Sequence, residues 1–482
     1  MAIRKMIILL IALCALPAMN KAQENKGDFE LKEFTLGDLE ELLMAHHPVV
    51  KQAKLLSEAA RAQVAQARGN FDPALKAAFS NKYFGNTNYY NDWNSELKIP
   101  IWLAGADLKV AYDRNVGART NPQTATSTSG LSGVGVSIPL GQGFIIDNRR
   151  STLWQAKAML GYAEAEQVKQ INAIWFAAVK DYWDWYYAYR QYELLQEGVK
   201  LAETRFNAIS MQTVLGDAPA IDSVEAAITV QERKIELAKY TVDLKNSRLV
   251  LSNHLWDENQ QPLELPDYAI PATVDTALLQ PDPTMLSSLL DQAQEQHPEL
   301  LKLESKRQQL DIEEKYRKEL LKPKLNVAGT LISSRRNLNE SMPYPYDFNW
   351  NNHKLGFEFA FPLFLRAERG KLKEVRLRQE ELQYDQLITG RSINNDITTK
   401  YNDLTAYSNQ LQLQVLSINN QQVLLNGEQQ KFELGESTLF IINNRESKLI
   451  DMRMKREGLI TNYNKTLAEL YYKAGTRWQG DK

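Results

Sequence analysis

Residues 366–434 read RAERGKLKEVRLRQEELQYDQLITGRSINNDITTKYNDLTAYSNQLQLQVLSINNQQVLLNGEQQKFEL. The stretch has no proline, the residue that ends helices, and its glycines Gly370, Gly390 and Gly427 are isolated. Leu387, Asn394, Ile397, Tyr401, Leu404, Leu411, Val415, Ile418 and Leu425 recur at spacings of three, four or seven. That period predicts a packing seam with polar interruptions along one continuous helix. A helix this long has no place in an ordinary globular domain. It needs partners along its whole length, in a coiled coil or a helical barrel.

The same organisation occurs earlier in the chain. Leu153 to about Met211 is nearly sixty residues of helical pattern, interrupted only by Gly161 and Gly198. At about 1.5 Å per residue it is roughly 90 Å long. Each long stretch ends in a glycine turn and returns. The first turn is Gly216-Asp217-Ala218-Pro219-Ala220, with Ile221 to Trp256 coming back. The second is Gly435-Glu436-Ser437-Thr438, with Leu439 to Ala474 coming back. Glycine suits the left-handed residue that stops a helix, and the acids that follow suit the start of the next one. Further upstream, His47-Pro48 is echoed by His297-Pro298 and Pro73-Ala74-Leu75 by Pro323-Lys324-Leu325, both at an offset of 250 residues. A helix-period stretch, Val49 to Gly69 in the first half and Glu299 to Leu321 in the second, lies between the two motifs of each half. Two matches at one offset in one context predict a duplicated unit of helix, strands, long helix, glycine turn and helix.

Strand-like segments follow each proline. Leu75, Ala77 and Phe79 alternate with Lys76 and Ser80; Leu97, Ile99 and Ile101 with Glu96 and Lys98. Leu108, Val110 and Tyr112 alternate with Asp107, Lys109 and Asp113, and Leu355, Phe357, Phe359 and Phe361 with Lys354 and Glu358. This is the period of a strand with one apolar and one wet face, as in a membrane barrel or a soluble sandwich. Segments 85–92, 120–130 and 333–352 are rich in Asn, Thr, Ser, Pro and Tyr and are expected to be exposed loops. The first half has room for four strands between Asp72 and Leu140, with a tight turn at Ala104-Gly105-Ala106.

With 482 residues the chain exceeds one ordinary domain, and 44% hydrophobic against 24% charged residues predicts a folded protein. Its net charge of −2 gives no footprint for nucleic acid. Residues 1–22 have the three parts of a secretion signal: Arg4 and Lys5, the apolar run Met6 to Ala15, then Pro17 to Ala22 before a cut at Gln23. Losing Arg4, Lys5 and Lys21 takes the charge from −2 to −5. Cys14, the only cysteine, lies inside that signal, so no disulfide, thiol chemistry or cysteine zinc site is expected in the mature chain. No other stretch approaches 18 apolar residues. A membrane crossing would therefore be made by β-strands. The expected organisation is a signal at 1–22, a first repeat at 23–256, a proline-rich linker or strap at 257–284, a second repeat at 285–475 and a tail at 476–482.

Nothing in the pattern points to catalysis, a metal or a cofactor. Neighbours on a helix point about 100° apart, so His46-His47 is a poor metal site and a capping role is expected. Gly141-Gln142-Gly143 lacks the Lys-Ser of a phosphate loop and is expected to be a strand-to-helix turn. Trp175, Tyr182, Trp183, Trp185, Tyr186, Tyr187 and Tyr189 form an aromatic run expected to pack between helices or mark a membrane-proximal end. The mixed-charge runs 313–318 and 445–456 are expected to be solvated helix faces.

In order and duplication these segments resemble the TolC-type outer-membrane efflux factor family. The carrying pieces are Gly69-Asn70-Phe71-Asp72-Pro73 and Leu321-Lys322-Pro323, Ile138-Pro139-Leu140 and Phe361-Pro362-Leu363, and the two tips. The stretch from Phe432 to Leu439 is the most family-like. The resemblance implies a mainly α fold with a transmembrane β-barrel, made of two tandem repeats. Three copies would share one barrel of strands and one periplasmic α-barrel of helical hairpins in the outer membrane. It further implies a passive gated duct of a tripartite efflux or type I secretion system. Its partners would be a periplasmic adaptor (membrane fusion protein), through it an inner-membrane pump of RND or ABC type, and outer-membrane lipid. Adaptor contact would fall at Gly216, Asp217 and Ala218 and at Gly435, Glu436, Ser437 and Thr438.

The gate departs from the family pattern. The acidic positions that close some relatives are Ile441 and Asn444 here, and the tyrosine and arginine positions are Phe432 and Ser437; only Asp222 matches. A lock using Arg445 or Glu446, or an apolar ring at Ile441 or Ile442, is the expected substitute. Relatives use two strands per half, so this subunit gives four strands if the extra pair folds apart and six if it joins. The competing reading is a periplasmic coiled-coil adaptor or scaffold without channel activity.

Overall fold

The computed structural model describes residues 32–274, 279–334 and 348–478. The expected signal 1–22 and most of the expected loop 333–352 lie outside the described residues. Helix dominates. A short strand β1 (Lys32–Phe34) leads into α1 (Leu36–His46) and α2 (Pro48–Arg68). Strands β2 (Ala74–Phe84), β3 (Thr87–Pro100), β4 (Asp107–Val116) and β5 (Leu131–Pro139) follow. Then come α3 (Asn148–Leu215) and α4 (Ala220–Ser252). The strand β6 (Ala269–Pro271) lies in the strap. The order then recurs: α5 (Pro283–Gln296), α6 (Pro298–Glu319), β7 (Lys324–Ser334), β8 (His353–Ala360), α7 (Arg366–Glu433) and α8 (Leu439–Lys473).

Both long helices contain 68 residues, about 100 Å at ~1.5 Å per residue. The first extends past both expected ends, because Asp147 caps its start by accepting from Arg150 N and the backbone stays helical as far as Gly216. Their partners change along their length. Toward the sheet, α3 lies between α2 and α6, and α6 also packs on α7. Toward the glycine turns, α3 lies between α4 and α8, and α8 also packs on α7. The result is a wall four helices wide at both levels, in which α3 and α7 run the full height.

The seam of α7 differs in part from the expected one. Ile397, Leu404, Leu411, Ile418 and Leu425, at strict spacings of seven, are buried. Leu387 and Asn394 are exposed, and Ile393 is buried instead. An undistorted helix has 3.6 residues per turn and drifts out of a seven-residue repeat, so the buried stripe rotates around it.

The main core lies midway along α3, where the aromatic run meets the strap. Trp175, Tyr182, Trp183, Trp185 and Tyr186 are buried together with Leu251, Leu265 and Ala269, Ile397 and Leu404, and Ile460 and Tyr463. The run thus packs between helices. Three of its polar ends are tied down: Tyr182 Oη donates to Phe34 O at 3.0 Å, Trp175 Nε1 to Trp478 O at 2.8 Å and Tyr186 Oη to Glu457 at 3.0 Å. The strap crosses here, with β6 pairing parallel to β1.

Six strands form one sheet in the order β2-β3-β4-β5-β7-β8, every pairing antiparallel. All four strands of the first half join it. The expected loop at 85–92 shrinks to a two-residue turn, because Gly85 and Asn86 both take positive φ (57° and 54°) and the strands zip up to them. Ile101, expected inside a strand, falls just past the end of β3, in the turn that closes around Leu103–Gly105.

Candidate functional site: the open sheet and the two helical tips

The register of the sheet puts like with like. Across β2, β3, β4, β5, β7 and β8 the rows run Leu75-Leu97-Val110-Val134-Leu331-His353 and, lower down, Ile99-Leu108-Val136-Gly329-Leu355. Phe79 pairs with Trp93, and Phe357 and Phe359 pair with Val327 and Leu325. The opposite face carries Lys76, Glu96, Lys98, Lys109, Asp113, Asn326, Lys354 and Glu358. One face is therefore apolar over all six strands and the other polar. Nothing among the described residues covers the apolar face: Leu75 and Leu355 are each 74% exposed and Phe357 70%. So large an exposed apolar surface marks a contact with lipid or protein.

The lower ends of the strands are staggered. Following the pairings from Ala74, the first residue of β2, leads through Lys98, Lys109, Gly135 and Thr330 to Lys354. Lys354 lies six residues above Ala360, the lower end of β8. Six residues at ~3.3 Å over five spacings of ~4.8 Å tilt the strands by about 40° from the normal to that lower edge. Membrane barrels tilt their strands by about 35–45°.

The turn between β3 and β4 is fastened to the start of α3. The Arg149 guanidinium reaches Asp107 at 2.7 Å, Asp147 at 3.0 Å and Gly105 O at 3.0 Å. Arg150, 5% exposed, donates to Asp147, Gly143 O and Phe144 O. Burial alone would raise the Asp147 pKa. Hydrogen bonds from the Arg150 backbone and from both guanidiniums outweigh it and hold the carboxyl below its ordinary value. Gly105 sits at φ +65°, and a Cβ there would lie 2.6 Å from Gly143 O, so this crossing requires glycine. Sequence reasoning missed this knot. The visible signal was an acid two residues before a pair of arginines at the start of a long helix. Gly141-Gln142-Gly143 is the strand-to-helix turn expected of it, ending below β5.

At the far end, both long helices stop in the same way. Gly216 (φ 84°) and Gly435 (φ 77°) are left-handed. Asp217 N donates to Gln212 O at 2.9 Å and Glu436 N to Lys431 O at 2.8 Å, the six-to-one bond of a glycine cap. Nothing lies within 4 Å of a Cβ built on either glycine. The tips bring Asp217 and Ala218, and Glu436, Ser437 and Thr438, to the surface, with Ser437 Oγ bonded to Glu428. Apolar side chains stand out beside them: Val214 (87% exposed), Leu215 and Ile221 at the first, Leu434 and Phe440 at the second.

The candidate gate residues separate. Asp222 is half-buried in the first turn of α4. Asn444 is exposed and Arg445 half-buried, its carbonyl accepting from Gln421 Nε2 at 2.9 Å. Ile442, at 3% exposure, packs within the chain against Ile418, Leu425 and Leu449, whereas Ile441 is 37% exposed. Glu446 is buried and pairs with Arg205 at 2.5 Å, and Arg205 also reaches Asn443 at 2.9 Å, so α3 and α8 are joined just above the tips.

Two of the histidines behave as caps. His47 starts α2, its Nδ1 accepting from Val49 N at 3.1 Å, and His297 starts α6 in the same way with Glu299 N at 3.1 Å. His46 is the last residue of α1 and no metal-binding group of side chains occurs among the described residues.

An amphipathic tilted sheet standing on a wall of helices about 100 Å long is the fold that this chain shares with solved structures of outer-membrane channels. The structure of CusC matches at TM-score 0.66 over 95% of this chain and 96% of that one, with 15% identity. A membrane protein from Pseudomonas aeruginosa matches at TM-score 0.64 over 93% and 91%, also with 15% identity. The open state of the MtrE outer membrane channel of Neisseria gonorrhoeae matches at 0.63 over 92% and 89%, with 14% identity. Residues 39–255 match the family model "outer membrane efflux protein". No curated protein sequence matches the chain. No described helix is long and apolar enough to cross a membrane.

Proposed function

We propose that this chain is the outer-membrane channel of a tripartite efflux or type I secretion system, a passive gated duct assembled from three copies. The observation that carries the reading is the uncovered apolar face that runs over all six strands, backed by a polar face and joined to helices that extend about 100 Å away. In this reading the apolar face meets outer-membrane lipid and the polar face lines the pore. The helices cross the periplasm to an adaptor and, through it, a pump. The tips around Gly216 and Gly435 are the adaptor-docking end, since their open, apolar-flanked surfaces face away from the sheet. Of the candidate gate positions, Ile441 serves an apolar constriction better than Ile442, whose side chain is already packed inside the chain. The organisation into repeats at 23–256 and 285–475 joined by a strap follows the recurring element order.

Conductance in a planar lipid bilayer tests this. Purified protein should give discrete channels, and Ile441→Asp should raise the open fraction by wetting the constriction. Folded protein that never conducts would end the channel reading and leave a periplasmic adaptor or scaffold in its place.

A further inference from the structure

Among the described residues the sheet ends in two strands that have a neighbour on one side only, β2 and β8. We propose that β8 of one copy pairs with β2 of the next, so that three copies close a barrel of eighteen strands, six from each. This rests on the reading of the chain as a three-copy channel and states how its membrane wall closes.

The strand directions permit the pairing. β2 leaves the helical wall and β8 returns to it, so the two edges meet antiparallel. Their faces match as well. With the lower ends level, Ala360 stands beside Ala74, Phe359 beside Leu75, Phe357 beside Ala77 and Leu355 beside Phe79. On the other face Glu358 stands beside Lys76, an opposite-charge cross-strand pair. A shift by one residue would set the apolar side chains of one edge beside the polar side chains of the other.

The dimensions agree too. A level closing step spreads the six-residue stagger over six spacings. That is about 20 Å of rise over about 29 Å, a tilt of about 35°, within the range of membrane barrels. Six strands tilted by that angle are about 35 Å wide, and four packed helices at about 9 Å each are about 36 Å wide. The sheet and the helical wall of one copy thus span the same arc, and one ring can close both. The pair β3–β4 is wall and not plug: Trp93, Leu97, Ile99, Leu108 and Val110 continue the apolar face, and the Arg149–Asp107 bond at 2.7 Å holds their turn at its base.

Disulfide trapping in outer membranes tests the closure. In a Cys14→Ala background the chain has no other thiol. K76C/E358C is expected to give covalent dimers and trimers on a non-reducing gel after mild oxidation, and neither single variant any. K109C/E358C is expected to give none, because Lys109 lies inside the sheet between β3 and β5. Trapping in K109C/E358C and not in K76C/E358C would overturn the proposal: the barrel would then close at β4 with four strands per copy, and the channel reading would survive. Electron-microscopic imaging of the detergent-extracted wild type counts strands without any variant. Eighteen strands support the proposal and twelve overturn it; no ring of copies at all overturns the channel reading with it.

Discussion

At the residue scale, two histidines 250 positions apart do the same work. His47 and His297 are each followed by proline, which suits the first helical position, and each ring accepts the backbone N–H two residues on. Only an unprotonated Nδ1 can accept. Burial, with His254 nearby, lowers the pKa of His47 below its ordinary 6.5, and burial lowers that of His297 despite Glu299. The unfolded chain therefore binds more protons than the folded one once pH falls below about 6.5, so stability rises with pH through that window. Melting temperature is expected to fall between pH 7 and pH 5, and H47A/H297A should flatten the fall. A double variant as pH-sensitive as wild type would refute the assignment. At pH 7 each cap is expected to contribute about 1 kcal/mol, read from denaturant midpoints.

At the scale of elements, the glycine tips separate backbone strain from packing. A Cβ at Gly216 or Gly435 meets no atom, yet both residues are left-handed. Gly435→Ala should therefore cost about 1 kcal/mol through φ alone, with Gly435→Asn costing less. The pair G216A/G435A should be nearly additive in chemical denaturation, because strain at two separate turns does not couple. A G435A protein as stable as wild type would show that the turn adopts another conformation. Just above the tips, Arg205 leaves a buried Glu446 without its cation if replaced. Arg205→Ala is expected to destabilise by about 1–3 kcal/mol and to raise the open fraction in bilayer recordings, since it loosens α8 from α3. Arg205→Lys should restore most of both.

At the scale of the whole molecule, the described residues form two surfaces that they do not themselves cover: an apolar sheet and a wall four helices wide. A single copy in water is therefore expected to aggregate, and detergent to be needed for a monodisperse preparation, checked by light scattering with and without detergent. Monodisperse, monomeric protein in plain buffer would contradict a lipid-facing sheet.

Much of this was legible in the sequence, and for local reasons. The 3.6-residue period, the lack of proline and the glycine turns placed α3, α4, α7 and α8, because helices form from contacts three and four residues apart. The two-residue period placed the faces of the strands, and the echoes of His47-Pro48 and Pro73-Ala74-Leu75 marked where the element order recurs. Three features were decided only by tertiary structure. Whether the β3–β4 hairpin joins the sheet depends on a knot of Asp107, Gly105, Asp147, Arg149 and Arg150, groups up to 45 residues apart in the chain that only the fold brings together. Which isoleucine at the second tip is free depends on rotation about α8: adjacent residues point about 100° apart, so Ile442 meets α7 and Ile441 does not. The burial of the seam from Ile397 to Leu425, but not of Leu387 and Asn394, follows from how a straight helix turns against its neighbours along 68 residues. Periodicity determines which face of an element is apolar. Only packing determines what that face meets.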